Sequence, residues 1–226
     1  MKNMLHKQAT LLAALALAFV ALAAFPQTGR ADTFALEGTG TLGSFSGIFQ
    51  YIPAGPTAGS VKISLTNDSP LANGGYITGF AFNFPSVAVV SGVTVSSDYP
   101  DFALLGVSPL NNVNASPYGK FDVGSTTGVS WSGGNTHGAI AVGDTGTFQF
   151  DLTGTGLGSL GAGDFLEALS YQTNDKLGEA FIGRFQGFCD GGSDKVPGIP
   201  SPTPEPAPLA LLGLGVAGLV LRRPAL

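Results

Sequence analysis

The side chains able to carry chemistry are few, and their spacing excludes most of it. Between Asp32 and Glu205 there is one histidine, His137, and the chain has one cysteine, Cys189. A structural zinc site needs His and Cys ligands in closely set pairs. Neither a paired-histidine nor a Cys2His2 site can be assembled from these. No Gly-x-Ser-x-Gly elbow occurs, and a lone cysteine admits no intramolecular disulfide. His137, beside the Gly133-Gly134 turn, reads as a loop residue, and Cys189 as a buried inert thiol. The stretch Asp190-Gly191-Gly192-Ser193-Asp194 offers carboxylates, but Ca2+ takes about six to eight oxygens. It reads as a solvated acidic turn. Gly-x-Gly-x-x-Gly matches at 38–43, 156–161 and 213–218 do not sit between a strand and a long helix, as a dinucleotide site requires. That leaves flat aromatic rings, which suit sugar faces: Trp131, Tyr118, Tyr99 and Tyr51. Trp131 lies in the polar, flexible Ser130-Trp131-Ser132-Gly133, which points to exposure. Trp131 and Tyr118 are the candidate ligand contacts. The competing role for Trp131 is a core plug. No catalytic residue, metal ligand or cofactor is assigned.

Charge narrows the partners. All 15 acids lie between Asp32 and Glu205, with only five of the ten bases, so that segment carries a net charge of −10. Such a body repels phosphate backbones, and nucleic acid is excluded as a partner. The other bases, Lys2, Lys7, Arg30, Arg222 and Arg223, flank two apolar runs at the chain ends.

The elements that must position these residues are strands. The 226 residues include 34 Gly, 15 Pro and 16 Phe, with only 11% charged residues. That composition suits strands and turns rather than helices. Val61, Ile63 and Leu65 alternate with Lys62, Ser64 and Thr66. Phe80, Phe82 and Phe84 alternate with Gly79, Ala81 and Asn83, and Phe148, Phe150 and Leu152 with Thr147, Gln149 and Asp151. Phe45, Gly47, Phe49 and Tyr51 share a face, as do Phe181 and Phe185. Period two marks half-buried strands. Asp164 and Glu167 form a capping-box-like pair ahead of Phe165, Leu166 and Leu169, which predicts one short helix. The expected fold class is all-β: an antiparallel β-sandwich over 32–195 with one short helix and a Phe-rich core.

The two ends frame this body. Lys2 and Lys7 precede an uncharged apolar run over 11–25, too short for a span of about 20 residues. Pro26 ends it, and Gly29-Arg30-Ala31 places small residues at −3 and −1. Residues 1–31 read as a signal peptide forming an apolar helix, cut between Ala31 and Asp32. The alternatives are a cut after Ala23 and an uncleaved anchor. At the other end, six prolines between 197 and 208 predict an extended linker over 196–208, outside any central strand. An uncharged apolar helix is expected over 209–221, followed at once by Arg222 and Arg223, which keep that end on the cytoplasmic side.

Pro204-Glu205-Pro206, the Gly-rich apolar run and Arg222-Arg223 together resemble the PEP-CTERM sorting signal of Gram-negative bacteria, over 203–225. The resemblance implies export, a transient hold in the inner membrane, and recognition by exosortase, a membrane-embedded cysteine transpeptidase. Pro204, Glu205, Pro206, Arg222 and Arg223 are then substrate positions. The implied setting is the cell surface or an exopolysaccharide or biofilm matrix, and the implied partners are exosortase and the export machinery. The body is also similar to the globular parts of other such proteins at Leu65-Thr66-Asn67, Phe185-Gln186-Gly187-Phe188 and 190–194. The resulting expectation is a non-enzymatic structural or interaction component of the matrix. Two other readings stand beside it: a carbohydrate-binding module for the exopolysaccharide, and a matrix-acting glycosidase.

Overall fold

The computed structural model describes residues 32–172 and 178–202. The expected terminal helices, Ala31 and the motif residues Pro204, Glu205, Pro206, Arg222 and Arg223 lie outside the described residues. Among the described residues, no helix is long and apolar enough to cross a membrane.

The strands are β1 (Asp32–Thr39), β2 (Ser44–Pro53), β3 (Ala58–Asn67), β4 (Gly74–Phe82), β5 (Val89–Ser97), β6 (Ala103–Gly106), β7 (Val113–Asn114), β8 (Lys120–Phe121), β9 (Val123–Thr126), β10 (Thr145–Thr155), β11 (Phe181–Phe188) and β12 (Ser193–Pro202). The helix α1 (Ala162–Glu167) is short, as expected, and Asp164 caps it by accepting from Gly161 N at 2.7 Å. It stops before Leu169, which stands 54% exposed instead of on the buried face. Ten strands form one antiparallel sheet in the order β5-β10-β3-β2-β1-β12-β11-β4-β9-β6, and β7 pairs with β8 alone.

The all-β antiparallel expectation is met. Two separately stacked sheets are not what forms, because β12 belongs to both halves. Its residues 193–198 pair with β11, and residues 199–202 pair with β1. The sheet turns a corner through β12 and wraps one inner face around the core. The result is nearer to an unclosed barrel than to a sandwich, open between β5 and β6.

This corner corrects the expected linker. Residues 196–202 are a central strand despite Pro197, Pro200 and Pro202, and Val196 is fully buried. Successive N–H groups on a strand point to opposite sides. One alternation accommodates all three prolines: even residues direct N–H toward β11 and odd residues toward β1. Pro197 then lacks a donor where β12 faces only β11. Pro200 and Pro202 lack one where it faces only β1. In keeping with this, Lys195 N donates to the Asp194 side chain at 2.9 Å rather than to a neighbouring strand. The hand-over between partners is what tolerates proline in the middle of the sheet.

The alternating residues pack as expected. Phe49, Val61, Ile63, Phe148, Phe150, Phe181 and Phe185 are all fully buried. Phe80 meets Phe148 at 4.6 Å and Phe181 at 5.8 Å between ring centroids, and Phe82 meets Phe150 at 5.2 Å. Such pairs add about 0.5–1.5 kcal/mol each beyond their buried area. In β4 and β11 the alternation hides a second core. Ala81 and Ile182, on the opposite face, are also fully buried, under Val113, Ala115, Phe121 and Trp131. The 107–134 segment folds over that outer face.

Candidate functional site

The open side of the sheet forms a cleft of about 710 Å3 between the start of β5 and the chain that follows β6. Val89, Val90 and Ser91 form one wall; Val107, Ser108, Leu110 and Asn111 form the other. Asn83, Phe84 and Asp122 also line it, with Leu169 and Tyr171. Of the ten large apolar side chains that stand exposed among the described residues, Val87, Val89, Leu110, Leu169 and Tyr171 all gather at this cleft or the groove continuing from it. Clustered exposed apolar residues mark an interaction site more reliably than scattered ones.

The cleft is held by backbone ties. Asp122 is buried, and its two carboxylate oxygens accept from Phe84 N (3.0 Å) and Asn111 N (2.8 Å). Asn83 donates to Ala168 O at 3.0 Å. Tyr171 is fixed by a reciprocal bridge to Lys120, N–H to carbonyl both ways at 2.9 Å, which leaves its ring 55% exposed. Ser170 Oγ donates to Tyr118 O at 2.6 Å and accepts from Glu179 N at 2.9 Å. Partial burial raises the Glu179 carboxyl above its ordinary pKa. Val107 (φ 78) and Asn111 (φ 58), the non-glycine residues with left-handed backbone among the described residues, both line the cleft. A left-handed conformation at a β-branched residue is strained and marks a place where surrounding contacts, here Val107 N to Asp122 O at 2.7 Å, dictate the backbone.

The residues singled out in the sequence distribute differently. Trp131 is 4% exposed and plugs the second core, against the expectation of exposure. Its flanking serines and glycine are polar, but the segment is folded over β4 and β11, so the indole points inward. Tyr118 is half-buried against the same cluster, Tyr99 packs on the main core, and Tyr51 is fully buried, donating to Leu157 O at 2.8 Å. Cys189 is exposed, not buried: it follows the buried Phe188 where β11 ends, and the alternation turns it outward. His137 is exposed, its ring 3.0 Å from Asp101.

Several of the acids serve the backbone. Asp194 accepts from Leu42 N (2.8 Å) and Gly43 N (3.2 Å), Asp190 from Gly192 N (2.7 Å), and Asp98 from Thr147 N (2.7 Å). No three His, Cys, Asp or Glu residues come together in a metal-holding group among the described residues. Asn67, in one of the stretches shared with related bodies, is fully buried and donates to Gly75 O and Ile140 O. Its role is to tie the end of β3 to β4.

The described chain ends with β12 at Pro202, and a family model for the PEP-CTERM protein-sorting motif matches residues 202–223. The chain carries a PEP-CTERM sorting motif. The PEP-CTERM motif implies an exported protein, held transiently in a membrane before exosortase, a membrane enzyme, processes it. Asp32, the residue expected to follow the signal cut, is the first residue of β1. No curated protein matches the chain. One similar solved structure is that of biomass-sensing modules from putative Rsgi-like proteins of Clostridium thermocellum, said to resemble the family 3 carbohydrate-binding module of the cellulosome. It shares 9% identity over 69% of this chain and 91% of that one, with a TM-score of 0.27. A likeness at that score establishes neither fold nor ligand.

Sequence reasoning missed the cleft because its walls come from four separated stretches of chain. The one local signal was at 106–111, where Gly106 and Asn111 flank Pro109 in an otherwise apolar run.

Proposed function

We propose that this is a non-enzymatic surface or matrix protein whose folded body is delivered by its PEP-CTERM motif and then acts by binding or by filling space. The observation that carries this reading is the motif at 202–223, starting at the residue where the last strand ends. The signal peptide is removed after Ala31, and exosortase cuts close to Glu205 and discards the apolar tail with Arg222 and Arg223. The mature chain then runs from Asp32 to about Glu205, at the cell surface or in an exopolysaccharide or biofilm matrix. The use of Asp98, Asp122, Asp190 and Asp194 as backbone acceptors supports a non-catalytic body over a glycosidase, which needs two free carboxyls flanking its substrate. Intact-protein mass spectrometry of the extracellular fraction tests the reading. The expected mass corresponds to about residues 32–205, and Pro204-Glu205-Pro206 replaced by alanines leaves the chain membrane-held and uncut. A released species that retains 209–226 overturns it.

The cleft favours carbohydrate as what the body binds. Tyr171 presents a flat ring in the cleft with Ser86, Ser91 and Asn111, which supply amide and hydroxyl partners. Among the described residues no Lys or Arg lines it, so a neutral glycan fits better than an acidic one. Retention on a neutral exopolysaccharide is expected to fall at least about tenfold in Tyr171→Ala with unchanged thermal stability, since an exposed ring contributes little to folding. Equal retention of both proteins removes the cleft from this role.

A further inference from the structure

The open side has two unpaired edges, and they are built differently. β6 has four residues and runs straight into left-handed Gly106 and Val107, then Pro109. Short length, a backbone break and proline are the usual guards of an exposed edge. β5 has nine residues, Val-Val-Ser-Gly-Val-Thr-Val-Ser-Ser, with no charge and no proline. Its one irregularity is an unpaired Ser91, because Gly92 faces Thr153 and Val90 faces Gly154. From Gly92 to Ser97 the strand is regular.

The direction of its free hydrogen-bonding groups follows from the pairing with β10. Asp98 N donates to Thr147 O, and Thr147 N donates back to the Asp98 side chain. Even-numbered residues of β5 therefore bond to β10, and the N–H and C=O groups of Val93, Val95 and Ser97 point outward from the sheet. On the inner face, Val90, Val93 and Val95 pack against the core but remain only half-buried. Thr94 and Ser96 are exposed on the outer face.

We propose that β5 pairs antiparallel with β5 of a second copy of this chain, extending the sheet across a two-fold axis at Thr94. The sequence is self-complementary in that register. Val93 meets Val95 of the other copy and Val95 meets Val93, so the half-exposed valines cover each other on the inner face. Thr94 meets Thr94 on the outer face, a favourable hydroxyl pair. Charge permits it. The 32–205 segment carries −10, yet β5 is neutral, and the two Asp98 side chains fall at opposite ends of the new ladder. Asp151, next to Thr94 on β10, lies three strand spacings from its copy, about 14 Å, beyond the Debye length at physiological salt. One strand from each copy buries far less than the roughly 1,600 Å2 of a standard interface. The pairing is therefore weak for a dilute protein and effective where copies are crowded on a surface or in a matrix.

The test is sedimentation velocity of the secreted, processed protein over a concentration series up to about 1 mM, where weak pairs become populated. The expected result is a concentration-dependent dimer. Thr94→Glu places like charges opposite each other on the axis and weakens it at least about tenfold. Mixing Thr94→Glu with Thr94→Lys restores it as a heterodimer. Amide exchange at Val93 and Val95 slows as concentration rises, a readout independent of dimer size. A chain that stays monomeric throughout overturns the proposal, and so does a dimer that Thr94→Glu leaves unchanged. Neither outcome bears on processing at the sorting motif.

Discussion

The two sides of the folded body are built by opposite means. On the closed side, β12 passes from β11 to β1 and joins the two halves of the sheet. Val196, Phe181 and Phe185 are sealed there, and Asp194 ties the strand to the β1–β2 turn through Leu42 and Gly43. On the open side, β5 and β6 leave their edges unpaired, the valines of β5 are half-exposed, and Val107 and Asn111 hold strained backbone beside a cleft. The contrast separates stability from interaction. The side where the described chain ends is the fully packed one, and the side proposed to meet a ligand or a second copy is the one whose packing is incomplete. Incomplete burial and strained backbone are common at functional places for this reason.

That contrast predicts a gradient of mutational effects. The largest comes from truncating the core at the closed side. Phe181→Ala is expected to destabilise by about 3–5 kcal/mol, whereas Val93→Ala on the open side costs about 1 kcal/mol or less. Urea midpoints for the two proteins check this, and equal losses would erase the distinction. Next comes the proline alternation in β12. Ile199→Pro removes an N–H directed at β1 and is expected to cost about 1–3 kcal/mol although Ile199 is 72% exposed. Pro200→Ala is expected to stay within about 0.5 kcal/mol. If the two changes have similar effects, the assigned alternation is wrong. The smallest effect concerns Glu179, whose N–H donates to Ser170 Oγ. Its carboxyl is raised by partial burial, so the folded chain holds its proton to higher pH than the unfolded chain, whose value is near 4.5. Ionisation therefore lowers stability as pH climbs from about 4.5 through the raised folded value. Glu179→Gln is expected to raise Tm on the order of 1 °C at pH 7, allowing for solvent screening, with the gain vanishing below about pH 4.5. A gain that is constant with pH would assign it to packing instead.

How much of this could be read in advance depended on whether a signal was local. Val61, Ile63, Leu65, Phe148 and Phe150 betray their strands because one face of each is polar. Pro204-Glu205-Pro206 with Arg222-Arg223 is contiguous enough to be recognised without any fold. β12 was missed because proline content argues against a central strand unless the change of partner at residues 198 and 199 is known, and that change is a tertiary fact. Trp131 misled for a related reason: its neighbours are polar, but its burial is decided by Ile182 and Ala81, residues about 50 positions away in either direction. The same holds for the cleft, where Asn83, Asp122 and Tyr171 meet only because the sheet fails to close.

The place of β12 also sets the order of events during export. Before it arrives, strands β1, β2, β3, β10 and β5 are laddered to one another, as are β4, β9, β6 and β11, but no strand pairing connects the two groups. The last of the described strands is the one that links them. A chain threading outward from its N-terminus therefore cannot lock its fold until residue 202 has emerged, which is where the sorting motif begins. Completion of the fold and arrival of the tail at the membrane become nearly simultaneous. A body that snaps shut at that moment would hold the chain on the outer side and deliver the motif to its enzyme from an already finished domain.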